Sequence, residues 1–138
     1  MCLERMVLFC IGALGYGGLE LAVRGHTHWT MLLAGGICLL GLRQISLVLS
    51  GAPFLARCAA GALLITGVEL AVGLLCNRCL HWAVWDYSDQ WGNLWGQICP
   101  QFSFYWFLLS MPLLWALDKM RPPAKPENLT KQAGRGIL

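Results

Sequence analysis

The chain has 138 residues, 57% of them hydrophobic and only 12% charged, with a formal net charge of +3. A soluble domain carries about 25% charged residues, so the composition excludes a water-soluble fold and indicates an all-α integral membrane protein with the lipid bilayer as its solvent. The length accommodates one domain of about four spanning helices, each of roughly 20 apolar residues, and leaves no room beside them for a soluble catalytic or nucleic-acid-binding domain.

In chain order, residues 6–24 form the first apolar run, broken by Glu20 and closed by Arg24. It reads as a membrane helix rather than a signal peptide, because it exceeds an h-region and has no small-x-small cleavage site. Gly12, Gly15 and Gly18 recur at spacing three, which predicts a smooth stripe where another helix approaches. A polar turn through His26 and His28 leads to a second helix over 29–49, anchored at the interface by Trp29. Arg43 lies about 21 Å along that helix at 1.5 Å per residue. It is therefore a snorkelling side chain near the opposite surface or a buried cation, and its depth disfavours an ion pair with Glu20, which sits near Arg24.

Ser50, Gly51 and Pro53 make the next turn, and the third helix is expected over 57–77 with Glu69 inside it. Residues 80–97 carry four of the seven tryptophans, interleaved with Asp86, Tyr87, Ser88, Asp89 and Asn93. That mixture suits neither water nor hydrocarbon and predicts an interfacial or re-entrant segment whose backbone is satisfied by Asp, Ser and Asn side chains. A fourth helix follows over 98–117, with Pro112 as a potential kink. The membrane domain is thus 1–118. Residues 119–138 form a basic tail, rich in proline and glycine, that is expected to be mobile.

Glu69 is the chemical centre of the sequence. A charged side chain in the middle of a spanning helix costs at least about 2.5 kcal/mol unless it is paired, protonated or facing a polar cavity. Gly18 to Val23 (GLELAV) recurs as Gly67 to Val72 (GVELAV), which places Glu20 at the equivalent point of another helix running in the same direction. A parallel internal repeat would bring two carboxylates to comparable depth, as a proton or cation site if they face each other. The alternative is a chance match in an apolar alphabet, each glutamate being satisfied by a hydroxyl or backbone group. Four spans put both termini on one side, and Arg5, Arg57 and the basic tail against Arg24 and Arg78 make that side the cytoplasm, with the plasma membrane as the expected location.

Trp85-Asp86-Tyr87-Ser88, followed by Asn93, Gly96, Ile98-Cys99, Phe102, Ser103 and Trp106, resembles the signature of the putative ABC-transporter type IV permease family of small bacterial membrane proteins. A vertebrate family of small multipass proteins is similar. Arg24-Gly25, Thr27-His28-Trp29 and Gly35-Gly36 resemble the family's first half, and Glu69 matches its upstream acidic position. Trp91 stands where the family pattern has proline, and Pro100 comes one position early. The resemblance implies a transport permease without specifying its substrate.

The residues themselves support two readings. In the first, the chain is one subunit of a homo-oligomeric permease for a small solute or ion. Glu69 and Glu20 bind a proton, cation or polar group, Arg24 and Arg43 are candidate ion-pair partners, and Trp85, Asp86, Tyr87, Ser88 and Asn93 line the outer mouth. Any ATPase is a separate subunit, because there is no G-x-x-x-x-G-K-[ST] loop. In the second, the chain is a membrane enzyme or accessory protein acting on a lipid-borne substrate at the outer interface, although no nucleophile and base stand together to support catalysis. No cofactor is implied. Cys76 and Cys79 have redox spacing without the surrounding α/β pattern, and with Cys99 they are packing thiols or a disulfide. His26, His28 and Glu20 are polar turn residues or, less in keeping with their spacing, metal ligands. Asp86 with Tyr87 and Ser88 is either a loop-closing turn or an acid-base cluster.

Overall fold

A computed structural model describes residues 1–123, and four α-helices account for most of them. They are α1 (Cys2–Arg24), α2 (Trp29–Val48), α3 (Phe54–Gly73) and α4 (Pro100–Lys119). The greater part of the expected tail, with Lys125, Lys131 and Arg135, lies outside the described residues. α3 continues into a π-helical stretch, Leu74–Cys79. The only β-pairing among the described residues is an isolated bridge between Leu94 and Ile98.

α1, α2 and the continuous segment Phe54–Cys79 are long and apolar enough to cross a membrane. α4 has 20 residues, about 30 Å at 1.5 Å per residue, but it carries Gln101, Ser103, Ser110, Asp118 and Lys119 and is not one of those three. Its side chains nevertheless accompany α3 from end to end. Trp106 meets Glu69 near one end, a Cβ on Gly61 would touch Ser110 in the middle, and Asp118 meets Arg57 at the other end. α4 therefore lies antiparallel to α3 and packs alongside it over its length.

Local sequence explains the helix ends. Gly25 closes α1 at φ 74°, a left-handed conformation that glycine adopts without a Cβ penalty. His28 caps α2, its Nδ1 accepting from the Thr30 backbone N–H. Pro100 occupies the first turn of α4, where its missing N–H costs nothing. α4 also runs unbroken through Pro112.

α2 is the central helix, touching α1, α3 and α4. Its contact with α1 is a close backbone approach: a Cβ on Gly12 would lie 2.5 Å from the Gly35 carbonyl oxygen, and one on Gly36 would meet the Phe9 ring. Small residues at such crossings let helix backbones approach, the main source of packing energy in lipid. The expected stripe of Gly12, Gly15 and Gly18 does not act as one surface, because Gly15 and Gly18 face open space. A spacing of three advances by 300° around a helix, so the glycines drift off any single face. The buried core runs through Leu39, Leu42, Cys58, Ile65, Trp106 and Leu114, while Leu14, Val23 and Leu63 project outward as lipid-facing side chains do.

Candidate functional site

The half of the bundle nearer the segment between α3 and α4 holds both intramembrane glutamates. Each is 5% exposed, yet they are satisfied by different chemistry. Glu20 Oε1 pairs with Arg24 Nη1 at 3.0 Å, one helical turn away, and Glu20 Oε2 accepts from Thr27 Oγ1 at 2.7 Å. Glu69 Oε1 accepts from the Tyr87 hydroxyl at 3.0 Å and Oε2 from Trp106 Nε1 at 3.0 Å. No salt bridge reaches Glu69 among the described residues. An ionised carboxylate offers about four acceptor positions, so two neutral donors leave its charge uncompensated and about half its acceptor capacity open.

Glu69 also borders a cavity of about 280 Å³, together with Tyr16, Gly15, Cys38, Val68 and Trp106. The cavity lies where α1 rests its backbone on α2 and not on α4, which the Tyr16 ring reaches with its centroid 5.9 Å from that of Trp106. Ile11, Leu39 and Leu113 are shared with a second hollow between α1 and α4, lined by apolar side chains apart from Glu4, that runs on to Met120. The two together make a groove along the α1 and α4 side, with the unpaired Glu69 at one end and Glu4, paired with Arg43, at the other.

The segment from Leu80 to Cys99 seats itself on the helix ends. The π-helical stretch turns Asn77 toward it, so that Asn77 donates to Gln97 Oε1 at 2.8 Å and accepts from the Val84 N–H at 2.7 Å. Trp85 is buried and donates to the Gln97 carbonyl at 3.0 Å. Arg24 reaches across to the Val84 carbonyl at 3.1 Å. Asp86 accepts from the Ser88 backbone and hydroxyl, and these bonds hold its carboxyl below the usual carboxylate range. Asn93 donates to the Ser88 and Gln90 carbonyls and accepts from Gly96 N. Gly96 has φ 70°, and a Cβ there would collide with Ser88 Oγ and Asp86 Oδ1. The polar side chains of this stretch thus replace the hydrogen bonds that an irregular backbone lacks.

Tyr87 couples this segment to the membrane interior. Its ring stacks on Phe102 at 4.5 Å, and its hydroxyl reaches Glu69. Burial, with Glu69 adding to it, pushes this hydroxyl above the ordinary phenol range, which keeps it a donor. Of the residues singled out from sequence, Glu69 and Tyr87 are in direct contact, while Glu20 with Arg24 forms an adjoining but separate pair. Trp85, Asp86, Ser88 and Asn93 bond within the segment itself. Arg43 lies at the opposite end, bonded to Glu4 at 2.8 Å and to the Leu117 carbonyl at 3.3 Å. There too Arg57 forks onto Asp118 at 2.9 and 2.5 Å, with Ser46 and Arg121 on the same carboxylate.

His26 bonds to the Arg24 carbonyl and His28 caps α2. Cys76, Cys79 and Cys99 are free thiols. Among the described residues no group of three His, Cys, Asp or Glu side chains is placed to hold a metal ion.

Trp106 and Tyr16 were not foreseen as part of the site. The indole of Trp106 signals itself in hindsight, since a buried tryptophan N–H usually needs an acceptor and Glu69 is the carboxylate at its depth. Tyr16 stands four residues before Glu20, on the same helical face, and that spacing was the available sign. No curated protein and no solved structure matches the chain. The model of the family described as putative ABC-transporter type IV matches residues 5–130, nearly the whole sequence, and the chain belongs to that family.

Proposed function

We propose that this chain is the membrane-embedded subunit of a transport system and that Glu69 is its exchangeable charge site, held in turn by a proton and by a cationic group of the transported substance. One observation carries the reading: Glu69 lies deep in a spanning helix, borders the cavity, and is bonded only to neutral donors. An ionised carboxylate so placed costs at least about 2.5 kcal/mol. A proton removes that cost, and so does a bound cation, and the two exclude each other. The charged or titratable groups facing Glu69 are Tyr16, Glu20 and Arg24 from α1, Cys38 from α2 and Tyr87 from the connecting segment. Glu20 and Arg24 cancel one another, so Glu69 is the group whose charge is free to change. Asp86, Ser88, Asn93 and Trp85 hold the segment that presents Tyr87 and act as positioning residues.

The same reading extends to the wider assembly. With α4 beside α3 as a fourth span, Arg5, Arg57, Lys119 and Arg121 gather at the end of the bundle that holds both Glu4 and Met120, while Arg24 and Arg78 lie at the other. The positive-inside rule then places both termini in the cytoplasm. Four helices of one chain do not enclose a path by themselves, so a homo-oligomer is the assembly we infer, with the α1 and α4 side left to the lipid. Any ATP-driven step belongs to a separate ATPase chain.

Infrared difference spectroscopy on the protein in lipid vesicles tests the central claim. A protonated-carboxyl stretch that grows as pH falls, and that Glu69→Gln lacks, supports the reading. A Glu69 that keeps one protonation state over the whole range in which the protein stays folded removes it.

A further inference from the structure

The groove carries a statement about what occupies it. Its walls are apolar from Leu109 and Leu113 on α4 to Ile11 and Leu19 on α1, and Glu69 with Tyr16 forms the polar part. An apolar cavity does not retain water, and a cavity of about 150 Å³ already accepts a benzene-sized ligand. The cavity beside Glu69 has about 280 Å³ before the adjoining hollow is added.

The groove is also polarised along its length. Its unpaired carboxylate lies in the half nearer the 80–99 segment, and from there it runs over apolar side chains toward Leu117 and Met120, meeting at its far end Glu4, whose charge Arg43 already answers. A lipid-like molecule in the adjacent leaflet has the same polarity, with its head near the surface and its chain toward the midplane. The gap between α1 and α4 faces the surrounding hydrocarbon, because no backbone contact joins those helices. Charge selects the head. Among the described residues Glu69 has neutral donors on both oxygens and no cation, so an ammonium would satisfy it, a hydroxyl would do so in part, and a carboxylate or phosphate would be repelled.

We infer that the α1 and α4 groove binds a single-chain amphiphile with a cationic amine head, entering sideways from the bilayer, with the ammonium on Glu69 and the hydrocarbon chain along Ile11, Leu39 and Leu113. This rests on the proposed role of Glu69 as an exchangeable charge site and adds the substrate class. It also gives the route, lateral rather than through an aqueous mouth lined by Asp86 and Asn93.

Native mass spectrometry of the full chain released from lipid nanodiscs reads the binding directly, with dodecylamine, dodecanol and dodecanoate as probes of one chain length and three head charges. The expected result is one dodecylamine per chain, held at least tenfold more tightly than the alcohol or the carboxylate. Glu69→Gln should lose that preference. Gly15→Leu, which adds a side chain where a Cβ meets nothing, should block all three while the fold is kept, and it serves if Glu69→Gln does not fold. Equal retention of the three probes, or retention indifferent to both substitutions, overturns the inference. The infrared titration of Glu69 separates the two failures: a carboxyl that titrates without amine binding leaves the exchangeable site standing and removes only the amphiphile, whereas a carboxyl that does not titrate removes both.

Discussion

α3 and α4 are joined near both ends by a carboxylate, and the two joints use opposite chemistry. At the end that holds Glu4 and Met120, Asp118 takes the fork of Arg57 together with Ser46 and Arg121, so its charge is fully answered. Toward the other end, Glu69 takes one indole and one phenol, and among the described residues no cation answers its charge. The first arrangement locks two helices, because breaking a buried pair leaves an orphan ion. The second holds a side chain in place without fixing its protonation state, as a group meant to exchange partners requires. Glu20, in the matching hexapeptide, follows Asp118 in this respect, since Arg24 and Thr27 claim both its oxygens. The repeated sequence therefore yields one closed carboxylate and one open one.

Substitutions should separate these roles. Asp118→Ala should have the largest effect: it strands Arg57, only 4% exposed, and should cost about 3 kcal/mol, read as a lower midpoint in equilibrium unfolding in mixed micelles. Tyr87→Phe removes one donor from Glu69 and should cost about 1 kcal/mol in the same assay, with a larger change in the infrared titration of the carboxyl than in stability. Glu69→Gln should cost less than about 1 kcal/mol, since the amide still accepts from Trp106 and the Tyr87 hydroxyl can turn to accept from its NH₂. A loss as large as that of Asp118→Ala would mean that Glu69 is a structural lock, and the contrast would fail.

The smallest effect concerns the connecting segment. The Asp86 carboxyl is held low by Ser88, so its contribution to the turn is complete above the ordinary aspartate value of about 3.9 and is lost as pH falls through the lower folded value. Ser88→Ala should move that loss to higher pH, visible as an upward shift of the Asp86 titration by NMR. An unchanged titration would place the hold elsewhere in the turn.

Much of this was legible in the chain. The apolar runs, the glutamate within the third and the aromatic stretch at 80–97 each express a local cost, of charge or unpaired backbone in hydrocarbon, which any fold of this sequence must meet. The separation of Glu20 from Arg43 was legible as well, because depth along a helix is a matter of residue count. The division of the glycine stripe was not, since which face of α1 meets α2 depends on where Gly35 and Gly36 stand on a different helix. Nor was the Asp118 joint, because a charge at the end of an apolar run looks the same in sequence whether it meets water or Arg57.

Sequence by itself determined that this is a membrane protein of four helices with a carboxylate at depth, because desolvation acts on each segment separately. Only the tertiary structure decided that Glu20 is paired while Glu69 is not, and that α1 stands away from α4 to leave a groove beside the unpaired one. Both outcomes depend on which helices touch, and near-uniform apolar surfaces of similar length carry little record of that choice in their own residues.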